Sequence, residues 1–362
     1  MSVGQVFPNQ YDNQLDTKVA EVSQLLAEFN PPVAQVFNSE PSHYRMRAEF
    51  RIWHNGDDIY HAMFDPQTRD KVRVDEFPVA CRTISDFMPV LLEHIQFNHE
   101  LRYKLYQVDY LATLSGELLV SLIYKRPLTD SWQAEAQQLT AKLSDSIKVK
   151  FIGRSRKQKL MVTNDYVTEA FELDGRTLRY QQVEGSFTQP NGQVNRKMLG
   201  WANTISRQLE GDLLELYCGN GNFSIALAPC FNQVVATEIS RTSIKSAQYN
   251  IQLNSTTNLQ VLQMSAEDVS ASLQQGTTLK HIDLAGMALN TILVDPPRAG
   301  LDDATVQLVS RFKDILYISC NPATLADNLK TLSQTHQIAA LAVFDQFPYT
   351  HHIECGVWLR QR

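Results

Sequence analysis

The second half of the chain carries seven apolar runs separated by stretches with helical spacing, and this alternation constrains the fold more than any other feature. The runs are "DLLELYC", "QVVATEI", "LQVLQM", "TILVDPP", "DILYISC", "IAALAVFDQF" and "IECGVWLR". A run without polar alternation reads as a strand buried on both faces, with intervening helices supplying the cover. The pattern therefore predicts a mostly parallel, doubly wound, seven-stranded α/β sheet. Only "PYTHH" joins the last two runs. That is too short for a helical crossover, so the final strand is expected to be antiparallel.

The first half reads differently. Leu15, Val19, Val22, Leu25, Leu26 and Phe29 fall at helical spacing, and Pro31-Pro32 ends the run. "YRMRAEFRIWHNGDDIYHAMFD" alternates on both sides of Asn55-Gly56, a hairpin signal. It sets Arg45, Arg47 and Arg51 on one strand face and Met46, Ala48 and Phe50 on the other. Helical spacing follows in "FMPVLLEHIQFNHELRYKLY", then two strands around Ser115-Gly116, a helix near 131–144 and further strands such as "KVKFIGR" and "YVTEAFEL". The division expected is a mixed α+β domain over 1–184 and an α/β domain over 185–362.

Bulk properties exclude several classes. The first residues lack a basic head and apolar stretch, and the longest clean apolar run, "IAALAVF", is far below a membrane span, so a cytoplasmic protein is expected. The five cysteines form no Cys-x-x-Cys pair, which argues against a disulfide framework, a zinc ribbon or an iron–sulfur cluster. Net charge is −6, yet "GRSRKQK" at 153–159 carries four positive charges and no negative one. An acidic protein can still bind RNA through a local basic groove.

In an open α/β sheet, ligands bind beyond the carboxyl ends of the strands. The first strand of the second half ends in "LLELYCGNGNFSIALA", where Gly219 and Gly221 allow a tight turn into a helix. The third glycine of the dinucleotide fingerprint is absent, which lowers a dehydrogenase reading. Glu238 ends the next strand and suits a ribose diol. Together with Glu215 before the turn, these features resemble S-adenosylmethionine-dependent methyltransferases. Three more strand ends carry polar groups: Asp295 and Arg298 in "VDPPRAGLD", Cys320-Asn321-Pro322, and Glu354 in "HHIECG". Taken singly, Cys320 reads as a packing thiol and His351-His352 as a loop pair.

Taken jointly, "ELYCGNGNF", "DPPRAGL", "SCNPATLA" and "HIECGVWL" resemble the RNA uridine-5-methyltransferase family, in this order, and "GSFTQPN" at 185–191 extends the likeness. The first half resembles the bacterial tRNA (uracil-5-)-methyltransferase branch, which has neither the small oligonucleotide-binding barrel nor the cluster-binding cysteines of most rRNA-modifying relatives. The resemblance implies a Rossmann-like class I methyltransferase domain preceded by an RNA-binding domain. It implies S-adenosyl-L-methionine as methyl donor, no metal, and tRNA, through its T-arm and T-loop, as partner. It assigns the nucleophile to Cys320 and the base to Glu354. Gln189, Tyr217, Gly219, Asn222, Glu238 and Asp295 would surround the cofactor, with Gln189, Asp295 and Arg298 also at the uracil. Tyr106 and Arg51 would contact RNA.

The residue types fit the chemistry. Carbon 5 of uracil is a weak nucleophile until a thiolate adds to carbon 6 and makes the ring an enolate. After methylation a base must take the hydrogen from carbon 5, and a carboxylate suits this if its site raises its pKa. Three other readings stay open. Asp-Pro-Pro also occurs in enzymes that methylate exocyclic nitrogens, and another RNA uridine is a possible target. A third alternative is an RNA-folding or RNA-binding protein with accessory methyltransferase activity.

Overall fold

The computed structural model describes residues 4–275 and 284–362. Contacts divide the chain into two units. The first combines the residues up to Pro8 with Glu40–Ala170 and Gln181–Gly192, and the second combines Asn9–Ser39, Phe171–Tyr180 and Gln193–Arg362. The division differs from a simple cut near residue 184, because neither unit is one continuous stretch. The helix Tyr11–Leu26 buries Tyr11, Leu15, Val22 and Leu26 in the second unit's core, beside Leu341 and Val357. The tip of the hairpin Tyr166–Leu173/Arg176–Val183 also groups there. Residues 185–192 stay with the first unit, since Met46 donates its backbone N–H to the Pro190 carbonyl at 2.8 Å.

The first unit holds a seven-stranded sheet in the order Lys71–Arg73, Asp58–Phe64, Arg47–Asn55, Leu105–Ala112, Glu117–Tyr124, Lys148–Ser155, Gln158–Met161. Its neighbours are antiparallel except Glu117–Tyr124 with Lys148–Ser155, which are parallel. The helix Asp130–Leu143 makes that crossover, capped by Thr129, whose hydroxyl accepts from the Trp132 N–H at 3.3 Å. Alternation decides the faces of Arg47–Asn55: Ala48, Phe50 and Ile52 enter the core, while Arg47, Arg51 and Trp53 face outward. The helix over Phe87–Ile95 covers part of the run from 87 to 106. The rest becomes a short helical turn, His99–Arg102, and the strand Leu105–Ala112.

The second unit is built on one sheet with strands β1 (Gln35–Phe37), β2 (Asp212–Leu216), β3 (Val234–Glu238), β4 (Leu259–Gln263), β5 (Leu289–Val294), β6 (Asp314–Ser319), β7 (His336–Phe344) and β8 (Glu354–Gln361). Their order is β1-β7-β8-β6-β5-β2-β3-β4. All pairings are parallel except those of β8 with β6 and β7. The antiparallel last strand is as expected, but the sheet has eight strands rather than seven. The extra strand is β1, a three-residue segment too short to show periodicity, which follows the helix Tyr11–Leu26 and pairs with the end of β7. Every residue of β2 and β6 is buried, as strands covered on both faces require.

Candidate active site

Strand register brings the second unit's functional residues to one sheet edge. Leu216 pairs with Val294 and Val294 with Tyr317, so Tyr217 and Asp295 leave the ladder side by side. Ser319 pairs with Cys355 in the antiparallel β6–β8 ladder. One further step sets Cys320 opposite Glu354, and directly opposed residues have Cα atoms about 4.5–5.5 Å apart. The edge therefore reads Glu238, Tyr217, Asp295, Cys320, Glu354 across neighbouring strands.

Cys320 is the hinge between β6 and the helix Pro322–Leu332. Asn321 caps that helix, its side chain accepting from the Ala323 N–H at 3.2 Å, and Pro322 takes the first helical position. The Asn321 amide also donates to the Arg298 carbonyl at 3.1 Å, tying the thiol's turn to the Asp-Pro-Pro-Arg loop. The helix start thus holds the residue before it, leaving Cys320 half-buried, beside fully packed Cys355.

Two carboxyls and a thiol on this edge are all shifted upward. Burial, followed by the charge of Asp295, pushes the Glu354 carboxyl up to about 8. Burial raises Asp295 to about 7. Burial, then the neighbouring Glu354 and Asp295 charges, raises the Cys320 thiol to about 11. A site that disfavours negative charge keeps the thiol protonated at rest and holds a carboxyl near neutrality, where proton transfer is most effective. Arg298 is exposed, and its backbone carbonyl anchors Asn321.

The cofactor turn follows β2. Tyr217, Gly219 and Gly221 have φ of 62°, 56° and 85°, left-handed backbone that favours glycine at the last two. A Cβ on Gly219 would meet no atom within 4 Å, so that side of the turn is open to a ligand. Glu238 lies beside it, its carboxylate accepting from the backbone N–H groups of Gly219 at 3.0 Å and of Ile239 and Ser240 at 2.8 Å. Ile239 is 69% exposed and offers an apolar surface next to that acid. These residues fit S-adenosylmethionine: an open glycine turn, a strand-end carboxylate and an apolar ledge.

Two neighbours are braces. Glu215 is buried, accepts from the Ser224 hydroxyl and is raised by burial to about 8, so it locks strand to helix. Asn222 exchanges amide hydrogen bonds with Asn195 at 2.9 and 3.1 Å, a partner without a sequence signal because it belongs to a separate helix, Gly192–Ser206.

On the first unit, Tyr106 lies on the strand Leu105–Ala112 with the Arg51 guanidinium 4.1 Å and the Lys125 ammonium 3.7 Å from its ring centre. Lys71 lies 3.7 Å over the ring of Trp53, which is 41% exposed. Aromatic rings interleaved with cations are the surface chemistry of single-stranded RNA binding. Further along the same strand, Tyr110 is a core residue bonded to His61 at 2.7 Å. The "GRSRKQK" charges are partly spent internally: Arg154 pairs with Glu184, and Lys159 with Asp165 at 2.6 Å. Gln189 is carried by the first unit on a loop held by Arg47, which donates to the Ser186 carbonyl at 2.7 Å. Phe187 on that loop is 75% exposed, an aromatic that sequence reasoning passed over.

Among the described residues no group of three or more His, Cys, Asp or Glu side chains could hold a metal ion, and no helix is long and apolar enough to cross a membrane. The His351 and His352 rings lie 3.9 Å apart in a loop, tilted by 42°, with Phe347 edge-on to His352.

The sheet order, the glycine turn and the strand-end acid define a Rossmann-like, S-adenosylmethionine-dependent methyltransferase. A solved Pyrococcus abyssi tRNA (uracil-54, C5)-methyltransferase in complex with S-adenosyl-L-homocysteine has the same fold. Its TM-score is 0.70 at 23% identity, covering 96% of this chain and 83% of that one. The family model for tRNA (Uracil-5-)-methyltransferase matches residues 10–362, and the chain belongs to that family. The tRNA/tmRNA (uracil-C(5))-methyltransferase of Shewanella amazonensis is 54% identical over 358 residues, 98% of each protein. That of Actinobacillus pleuropneumoniae is 54% identical over 359 residues, 97% of this chain and 98% of the relative.

Proposed function

We propose that this protein methylates carbon 5 of the T-loop uridine of tRNA in the cytoplasm, through a covalent bond between Cys320 and carbon 6 of the base. The observation that carries the reading is the β6–β8 register, which sets Cys320 opposite Glu354 with Asp295 on the adjoining strand. A thiol, a carboxyl raised toward neutrality and a second carboxyl are the set that C5 chemistry needs. Methylation of an exocyclic nitrogen would need no thiol there.

S-adenosylmethionine, held at the Gly219 turn and Glu238, supplies the methyl group as an electrophile. The chain's own residues do the rest. Cys320 loses its proton to the Asp295 carboxylate as sulfur bonds to carbon 6, so Glu354 stays ionised for the later step and the departing thiolate regains a proton at the end. Asp295, near neutrality at about 7, accepts from N3–H as a carboxylate or donates to O4 as an acid while charge develops on the ring. Glu354 then takes the proton from carbon 5, the electron pair restores the C5–C6 double bond, and sulfur leaves. Gln189 is assigned to the base's polar edge by the family motif.

The thiol must reach the ring face of carbon 6, so the base leaves its stack to react. The first unit's Arg51–Tyr106–Lys125 cluster supplies a platform for loop nucleotides. Tyr106→Ala should raise KM for tRNA by about 5- to 100-fold, the scale of one lost base–aromatic stack, with a smaller change in kcat. Steady-state kinetics with full-length tRNA check this. The function itself is tested with methyl-labelled S-adenosylmethionine and unmodified tRNA, followed by nucleoside mapping. Label in 5-methyluridine at the T-loop position supports the reading; label in an exocyclic amine or elsewhere in the RNA overturns it.

A further inference from the structure

The helix Tyr11–Leu26 buries one lysine on its apolar stripe: Lys18 is 5% exposed among Tyr11, Leu15, Val22 and Leu26. Its ammonium donates to the carboxylate of fully buried Asp345 at 2.8 Å and to the Phe347 carbonyl at 2.9 Å. One turn earlier, Gln14 donates to the other Asp345 oxygen at 2.8 Å, while its own side-chain oxygen accepts from the Tyr349 N–H at 3.3 Å. Tyr11 packs edge-on against Tyr349, ring centres 6.1 Å apart. Three alternate residues of one loop, 345, 347 and 349, are therefore gripped from a single helix face.

That loop joins β7 to β8, and its downstream end is Glu354. From Phe347 the bonding continues through Thr350, whose hydroxyl donates to the Phe347 carbonyl at 2.8 Å and accepts from the His352 N–H at 3.1 Å. Cys320 is held separately, by β6 and the Asn321 cap. The helix also packs against Pro322–Leu332, the helix after Cys320, but the hydrogen bonds of Gln14 and Lys18 go to the loop that leads into Glu354. A buried ion pair is weak evidence for stability by itself, because desolvation offsets the attraction, and its better-attested use is to specify geometry.

We infer that Gln14 and Lys18 are positioning residues for Glu354, setting proton removal from carbon 5 without affecting attack by Cys320. The inference rests on Glu354 being the base. Loosening the grip should slow the last half of the reaction alone: the proton stays on carbon 5, the C6–S bond cannot break, and methylated adduct accumulates.

The test uses Gln14→Leu in the full chain, since Gln14 is half-buried and its loss strands no charge, with Lys18→Met as the more disruptive companion. Tritium release from C5-tritiated tRNA should slow by about 10- to 100-fold, the cost of a slightly misplaced catalytic group. Capture of 5-fluorouridine-containing tRNA, which reports attack and methylation but cannot proceed to proton removal, should keep its wild-type rate. Equal slowing of capture and release, or no change in either, overturns the inference. Glu354→Gln is run alongside. If it releases tritium at the wild-type rate, the base assignment has failed; if it stalls while Gln14→Leu does not, only the positioning role has failed.

Discussion

Glu354→Gln is expected to stop the reaction after methyl transfer, leaving protein and tRNA joined through Cys320 and carbon 6. The amide fills the carboxyl's space but cannot accept a proton, so only the step that restores the ring fails. Turnover should fall by about 10²- to 10⁴-fold, the usual worth of a positioned general base. On a denaturing gel the variant should run as a methyl-labelled protein–RNA band. The same group sets the pH dependence of wild-type turnover. Burial and the Asp295 charge hold the Glu354 carboxyl at about 8, and only its ionised form can accept. Proton removal should therefore rise with pH, being roughly tenfold slower one unit below that value than on the plateau above it. Rapid-quench measurement of adduct decay from pH 6.5 to 9 checks this. A profile falling with rising pH would mean that the protonated form acts.

Cys320→Ala should remove both adduct and methylation, the largest loss of any single substitution. Without sulfur on carbon 6, carbon 5 has no enolate to drive its attack, and the neighbouring thiols Cys218 and Cys355 are buried. Methyl incorporation should fall to background, at least about 10⁴-fold. The fold should survive, because the turn is held by the Asn321 cap and its bond to the Arg298 carbonyl rather than by the thiol. Unchanged circular dichroism and retained S-adenosylmethionine binding would separate lost chemistry from lost structure. Cys320→Ser should be as inactive, since a hydroxyl in a site that disfavours negative charge is far from ionised.

Much of this site is legible in the sequence because it depends on local rules. Apolar runs mark buried strands, Asn321-Pro322 marks a helix start, and the short link before Glu354 forces the antiparallel return that sets it opposite Cys320. Less legible is whatever depends on distant partners. Lys18 falls on an apolar stripe where only a buried carboxylate could keep it, and Asp345 lies 327 positions away. The positive charges of "GRSRKQK" look available for RNA until Glu184 and Asp165 are brought beside them. The eighth strand is three residues long and exists only because β7 offers an edge. The division into units escapes a linear reading for the same reason: a helix from the front of the chain completes the core at its end.

The central claim, covalent C5 chemistry at Cys320, is tested most directly with tRNA tritiated at carbon 5 of its uracils and S-adenosylmethionine as donor. The predicted result is one tritium released to water per methyl group incorporated, with both lost in Cys320→Ala. Methyl incorporation without tritium release, or either activity persisting in that variant, would contradict it.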